Sequence, residues 1–372
     1  VALRLSPLIL TALLAVGGCA TTPEPKDDLA APMQFRTLAG APPVQDGRAA
    51  FRAAFCSTLR AEGLAPPDDA SCDRWLWRLA DEPMAESGSD LPPVNPLKLD
   101  VLLVTGAFSE CVGESSRPFS AGAARLRAAG ANVRTIVVGG RSGTGYNAQQ
   151  IADTLAATPV DEGRRVVLVG YSKGGLDILR FLVDFPELAA RVDAVISTAT
   201  PVFGSPLAEV AASTYATLGA KMPHDRCPPG DGAVIESLTP AVATQWLAAN
   251  PLPPGVRYYS LAAFTTREHI GRALAPFWKH LGGPGVRNDG QVVAADAVIP
   301  GATLLGYANA DHWGIAQTIE IEHPVLAARP DPSLFPLEQL FIAMMTFVAN
   351  DLQRGRDMAQ ATPLPRAEER GR

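Results

Sequence analysis

The stretch RVVLVGYSKGGLDILRF, residues 165–181, decides how the rest of the chain is read. It opens on an apolar run, passes through Gly170-Tyr171-Ser172-Lys173-Gly174, and continues with helical spacing to about Phe185. A strand buried on both faces reads as a continuous apolar run rather than an alternation. The pentapeptide therefore sits on a strand-to-helix turn, which is the context a G-x-S-x-G motif requires. The chemistry accounts for both glycines. Ser172 has to stand at the tip of a very sharp turn with unfavourable backbone angles, and a side chain at Gly170 or Gly174 would meet the neighbouring strand or helix. The helix beginning beneath the serine aims amide N–H groups at any negative charge that develops there. Ser172 is thus a candidate nucleophile, with Gly170 and Gly174 as its elbow glycines.

Outward from this stretch the same pattern repeats. Short apolar runs at 99–104, 133–138 and 192–197 alternate with helical segments at 119–129 and 148–157. Two more strands are expected at 257–262 and 303–307, and a closing helix at 337–352. Alternating strand and helix with continuous apolar strands implies an α/β fold, a mostly parallel sheet with helices on both faces. The main domain is expected to span 97–352. Residues 207–254 interrupt the alternation with Ala-rich stretches, Trp246, Leu247 and a Pro-rich exit, and read as a helical cap or lid over the serine. Its apolar residues would either line a substrate pocket or form the cap's own core.

A serine hydroxyl is a poor nucleophile at neutral pH and needs a base, itself oriented by an acid. On this architecture the order along the chain is Ser, then Asp or Glu, then His. Five histidines exist. His312 lies just after the last expected strand, where the sheet's C-terminal edge would present a base. His224 and His269 fall in the cap or in loops, and His280 and His323 read as surface residues. Asp289, in the turn sequence Arg287-Asn288-Asp289-Gly290, is expected on the same edge. Asp311 and Asp296 are the rival acids. Asp311 is disfavoured because a side chain adjacent to the histidine usually points away from its ring.

With these residues in view, the chain resembles the α/β-hydrolase superfamily, and within it the bacterial true lipases and related esterases. The elbow Gly-Tyr-Ser-Lys-Gly, the acid motif Asn288-Asp289-Gly290-Gln291-Val292 and the histidine motif Asp311-His312-Trp313 carry the resemblance, with a weaker match at 200–206. It implies a serine hydrolase that cleaves carboxylic esters, acting on an ester or lipid substrate through Ser172, His312 and Asp289. An acyltransferase or thioesterase would use the same triad, and a non-catalytic envelope binding module would keep the fold alone. The oxyanion loop of those lipases usually reads His-Gly-x, whereas here it is Thr105-Gly106-Ala107-Phe108. By position, the backbone N–H groups of Ala107 and Lys173 would form the oxyanion hole. Many of those lipases carry a calcium-binding aspartate two residues after the histidine. That position is Gly314, so no calcium, no other metal and no cofactor is expected.

The remaining readings concern the chain's surroundings. Residues 1–19, VALRLSPLILTALLAVGGC, place Arg4 before a short apolar stretch and small residues before Cys19. This reads as a secretion signal, too short to span a bilayer, and its end resembles a bacterial lipobox. That resemblance implies cleavage before Cys19 and acylation there, holding the protein to a membrane by its acyl chains. Ala20 in place of aspartate favours the outer membrane. Residues 19–46 would be a tether, and 47–96 a small helical extension in two pieces. The first piece carries Phe51, Phe55 and Leu59, and the second carries Trp75, Leu76 and Leu79. Residues 353–372 would be a tail. In an oxidising compartment Cys56, Cys72, Cys111 and Cys227 are expected in two disulfides. Three pairings are possible; Cys56–Cys72 would close a short loop and leave Cys111–Cys227 as the long bridge. At 372 residues and 47% hydrophobic, the chain can bury a large core, which excludes wholesale disorder. A net charge of −6 without a Lys/Arg cluster argues against nucleic-acid binding.

Overall fold

A computed structural model describes residues 31–64, 72–84, 98–114, 117–159, 163–219, 227–317 and 335–361. The expected leader, Cys19, His224 and His323 lie outside these. In chain order the elements begin with β1 (Gln45–Asp46), α1 (Arg48–Ala61), β2 (Leu76–Trp77), β3 (Leu99–Val104), α2 (Ser109–Val112) and α3 (Ser120–Ala128). They continue with β4 (Asn132–Ile136), α4 (Thr144–Ala156), β5 (Arg165–Tyr171), α5 (Lys173–Asp184), α6 (Pro186–Ala189) and β6 (Ala194–Thr198). The last are α7 (Pro206–Gly219), α8 (Pro240–Ala249), β7 (Arg257–Phe264), α9 (Ala275–His280), β8 (Thr303–Asn309) and α10 (Leu337–Ala361).

The strands form one sheet in the order β1-β8-β7-β6-β5-β3-β4, parallel throughout that path, with β2 antiparallel on β8. Successive side chains of a strand point to opposite faces. Leu103 and Val169 accordingly join Phe51, Phe55, Phe119 and Phe341 in the core beneath α1, α3 and α10. Their neighbours Leu102 and Leu168 meet Ile151, Leu155, Ile178 and Phe181 beneath α4 and α5. Each such buried side chain contributes about 1.5–3 kcal/mol of hydrophobic stabilisation, and it is this two-sided burial that makes the strand sequences apolar without alternation. The sheet is the mostly parallel, helix-flanked one that the alternation implies. β5 lies in its interior between β3 and β6, with Val104 beside Gly170 and Thr198 beside Tyr171.

The N-terminal region departs from expectation. Trp75, Leu76 and Leu79 do not belong to a second helix. Leu76 and Trp77 instead pair with Ala308 and Tyr307 of β8. The spacing misleads because the apolar residues serve two different clusters: Trp75 and Leu76 pack with Phe51 and Phe335, whereas Trp77 and Leu79 pack with Phe264 and Tyr307. The backbone that a helix would have satisfied internally is satisfied by Arg52, which donates to Leu76 O (2.8 Å) and Trp77 O (2.9 Å). The described part of the expected tether also lies on the body. Met33, Phe35 and Val44 pack against the cluster holding Tyr307, Arg36 pairs with Asp296 at 2.9 Å, and β1 extends the sheet beside β8. At the other end α10 runs on to Ala361, into the expected tail.

The cap region holds α7 and α8. Leu247 packs in one buried cluster with Val202 and Phe203, whereas Trp246 packs against that cluster only part-buried and also lines a small pocket with Leu176, Arg180 and Ala243. Two disulfides close, Cys56–Cys72 and Cys111–Cys227, and the second ties the cap to the end of α2.

Candidate active site

The elbow is formed by backbone crowding. Ser172 takes φ +54° and ψ −131°, in a region that non-glycine residues rarely occupy, at the junction of β5 and α5. Its N–H donates to Thr198 O at 3.0 Å, which anchors the turn to β6. A Cβ on Gly174 would lie 2.5 Å from the carbonyl oxygens of Val104 and Thr105, and one on Gly170 would lie 2.5 Å from Gly175 N. No side chain fits at either position without moving backbone.

The structure brings Ser172, His312 and Asp289 together. Ser172 Oγ lies 2.8 Å from His312 Nε2, and His312 Nδ1 lies 2.7 Å from Asp289 Oδ2. His312 and Asp289 are almost wholly buried. The other oxygen of Asp289 accepts the N–H groups of Gln291 (2.8 Å) and Val292 (2.7 Å), and His312 N donates to Asp289 O at 2.8 Å. Asn288 shapes this turn by accepting Gly290 N–H and donating to Val286 O. Three hydrogen bonds to one carboxylate hold it fixed in orientation. A second tie was not visible in the motif: Tyr171, the residue before the serine, donates its hydroxyl proton to His312 O at 2.7 Å. The elbow strand itself thus holds the backbone of the histidine loop.

The rival acids sit elsewhere. Asp311 Oδ2 accepts Gly271 N–H (2.8 Å) and its Oδ1 accepts Gly314 N–H (2.7 Å), so it pins the histidine loop to residues 265–274. Asp296 pairs with Arg36. His269 meets Thr266 Oγ1 at 3.2 Å, and His280 closes α9. Gly314, at the position of the lipases' calcium ligand, contributes only that N–H. Among the described residues no group of three His, Cys, Asp or Glu is placed to hold a metal ion.

The loop after β3 passes directly over the serine, since a Cβ on Gly106 would lie 3.0 Å from Ser172 Cβ. Phe108 N–H is already taken by Gly140 O at 2.9 Å. The N–H groups of Ala107 and Lys173 have no acceptor among the described residues. Thr105, which stands where the lipases carry histidine, is fully buried and accepts Val138 N–H through Oγ1. Its side chain fastens the loop to the chain leaving β4 and leaves the following amides untouched.

A hydroxyl held against an imidazole, that imidazole held by a fixed carboxylate, and two uncommitted amides beside the hydroxyl form a group able to carry out acyl transfer. On a parallel sheet with this elbow, the arrangement defines an α/β-hydrolase. Comparison with solved structures agrees. A metagenomic carboxyl esterase is 38% identical with a TM-score of 0.76, the match covering 86% of this chain and 97% of that one. The mature lipase of Bacillus licheniformis is 26% identical over 64% of this chain and 96% of its own, with a TM-score of 0.48. The chain belongs to the α/β-hydrolase carboxyl esterases. No family model and no curated protein matches it.

Proposed function

We propose that the chain is a lipid-anchored serine esterase that cleaves carboxylic esters through an acyl-enzyme. The observation that carries this is the unbroken relay Ser172 Oγ–His312 Nε2 and His312 Nδ1–Asp289 Oδ2, at 2.8 and 2.7 Å. Ser172 Oγ attacks the ester carbonyl carbon while His312 Nε2 takes its proton. Asp289 keeps the Nδ1 proton in place and steadies the imidazolium. The N–H groups of Ala107 and Lys173 receive the oxyanion of the tetrahedral intermediate. The intermediate collapses, the alcohol leaves with the proton from His312, and Ser172 holds the acyl group. Water, deprotonated by the same histidine, then attacks the acyl carbonyl and releases the carboxylic acid.

The test is labelling by a fluorophosphonate probe followed by a chain-length series of p-nitrophenyl esters. Labelling of the wild type but not of Ser172→Ala, with turnover of at least one ester, is the expected result. A protein that neither labels nor hydrolyses is a binding module. Anchoring at Cys19 rests on the sequence of residues 1–19 alone. A Cys19→Ser variant expressed from the same leader is expected to lose incorporation of labelled palmitate and to leave the membrane fraction. Retention of the label would place the acylation elsewhere.

A further inference from the structure

Lysine is among the side chains least often buried completely, yet that of Lys173 is 1% exposed. Its ammonium lies 2.5 Å from Asp177 Oδ1, one helical turn further along α5, and Asp177 is wholly buried. Burial pushes the Asp177 carboxyl up, to about 6, against the pull of Lys173. A buried ion pair adds little net stability, because desolving both charges offsets their attraction. Its retention directly beneath the nucleophile calls for another account, and the hydrogen bonds that continue from it supply one.

The second oxygen of Asp177 accepts Asn147 Nδ2 of α4 at 2.8 Å, and the same amide nitrogen donates to Gly139 O at 3.2 Å. The loop 139–143 then meets the chain that follows β3. Gly140 O accepts Phe108 N–H, and Gly140 N–H donates to Glu110 Oε1 at 3.0 Å. A Cβ on Gly140 would lie 2.8 Å from Phe108 N, so the two backbones are in direct contact. Phe108 has φ +59°, a left-handed conformation that a phenylalanine keeps only when its neighbours impose it. The path is closed: Lys173 side chain, Asp177, Asn147, Gly139 and Gly140, Phe108, and then Ala107. It begins and ends at the two residues whose backbone N–H groups flank Ser172. The cap joins the same loop, through Gly143 N–H to Asp231 Oδ1 at 2.8 Å and Arg141 to Cys227 O at 3.3 Å.

We propose that Lys173, Asp177 and Asn147 are positioning residues for ester hydrolysis, which through loop 139–143 fix the separation of the Ala107 and Lys173 N–H groups. This rests on the reading of the site as a serine esterase. The Lys173 ammonium is engaged by Asp177 Oδ1, so the side chains act by placing the amides. Hydrogen-bond donors stabilise an oxyanion only where they meet the position it will occupy, and a displacement of about 1 Å costs on the order of 100-fold in rate.

Two variants test this. Lys173→Met/Asp177→Leu removes both charges together and leaves neither ion unpaired, and Asn147→Ala cuts the path at a single hydrogen-bonding group should the first variant fail to fold. Each is compared with wild type in thermal unfolding, in kcat and KM on p-nitrophenyl butyrate, and in affinity for phenylboronic acid, which becomes tetrahedral on the serine. In folded variants kcat is expected to fall about 10- to 100-fold with KM within about twofold, and boronate affinity to fall in parallel with kcat. Wild-type kcat and boronate affinity in a folded variant, or a loss carried by KM alone, overturns the proposal. If the wild type itself hydrolyses no ester, the esterase reading falls and takes the inference with it. If the wild type is active and the variants match it, the inference alone falls.

Discussion

Lys173 and Asp177 lie four residues apart on one helix, whereas Arg52 and Glu82 lie 30 apart, on α1 and beyond β2. Both pairs are nearly free of solvent. Arg52 spends its whole guanidinium on stitching. It grips both oxygens of Glu82 at 2.5 and 2.7 Å, reaches Asp73 at 2.9 Å, and takes the carbonyls of Leu76 and Trp77. That arrangement holds residues 73–82 against α1 and so gives β2 its place on the sheet. The Lys173 pair connects only α5 to α4, but it does so under Ser172. The difference teaches that a buried ion pair is read from what its remaining hydrogen bonds reach. One set reaches the carbonyls of a short edge segment, and the other leads by way of Asn147 to the loop that meets the chain beside the nucleophile. Loss of the first is expected in stability and loss of the second in rate.

The largest effect anchors the catalytic side of this contrast. Ser172→Ala is expected to lower kcat by about six orders of magnitude, the scale seen when a serine-protease nucleophile is removed, with an unchanged circular dichroism spectrum. Activity within tenfold of wild type in the folded variant would mean the nucleophile is elsewhere. Next, Asp289→Asn is expected to cost up to about 10⁴ in kcat, because the amide holds the imidazole in the wrong tautomer. Asp311→Asn should cost much less, since Asp311 contacts Gly271 and Gly314 N–H groups rather than the ring. If the Asp311 variant is the slower one, the acid is misassigned.

On the structural side, Arg52→Ala removes both close hydrogen bonds to buried Glu82, leaving it only Arg78 Nη1 at 3.7 Å, and is expected to lower unfolding stability by about 3 kcal/mol. The kcat of the protein that remains folded should be unchanged. A large drop in kcat with an unchanged melting temperature would erase the distinction between the two regions. The smallest expected effect compares the bridges. Cys111–Cys227 closes a loop with a sequence separation of 116 and Cys56–Cys72 one of 16. In the chain-entropy account, removing the long bridge costs about 1–2 kcal/mol more than removing the short one, as guanidinium titration of the two double-serine variants can measure. Because the long bridge ties the cap to α2, little jump in rate is expected above the solubility limit of the substrate. A steep jump there that persists with the bridge intact would mean the cap swings despite it.

The elbow at Ser172 and the proximity of Asp289 and His312 to it were legible in the sequence because each is a local requirement. A strand-to-helix turn with a serine at its tip needs glycines two residues either side, and the C-terminal ends of parallel strands have to deliver the acid and the base to the same edge. Two-sided burial likewise writes itself into the strands as unbroken apolar runs, so the sheet could be read before any coordinate. The i,i+4 spacing of Lys173 and Asp177 was visible too, but their burial was not, since the same spacing on a surface helix is an ordinary solvated pair. The choice among three disulfide pairings, the strand at Leu76–Trp77 and the path of residues 31–46 along β8 were decided only by the tertiary structure. Each depends on partners far along the chain: Cys227 for Cys111, β8 for β2, and Tyr307 for Phe35. A local pattern cannot encode them, because whether an apolar residue faces a helix, a strand or a neighbouring loop is set by what arrives beside it.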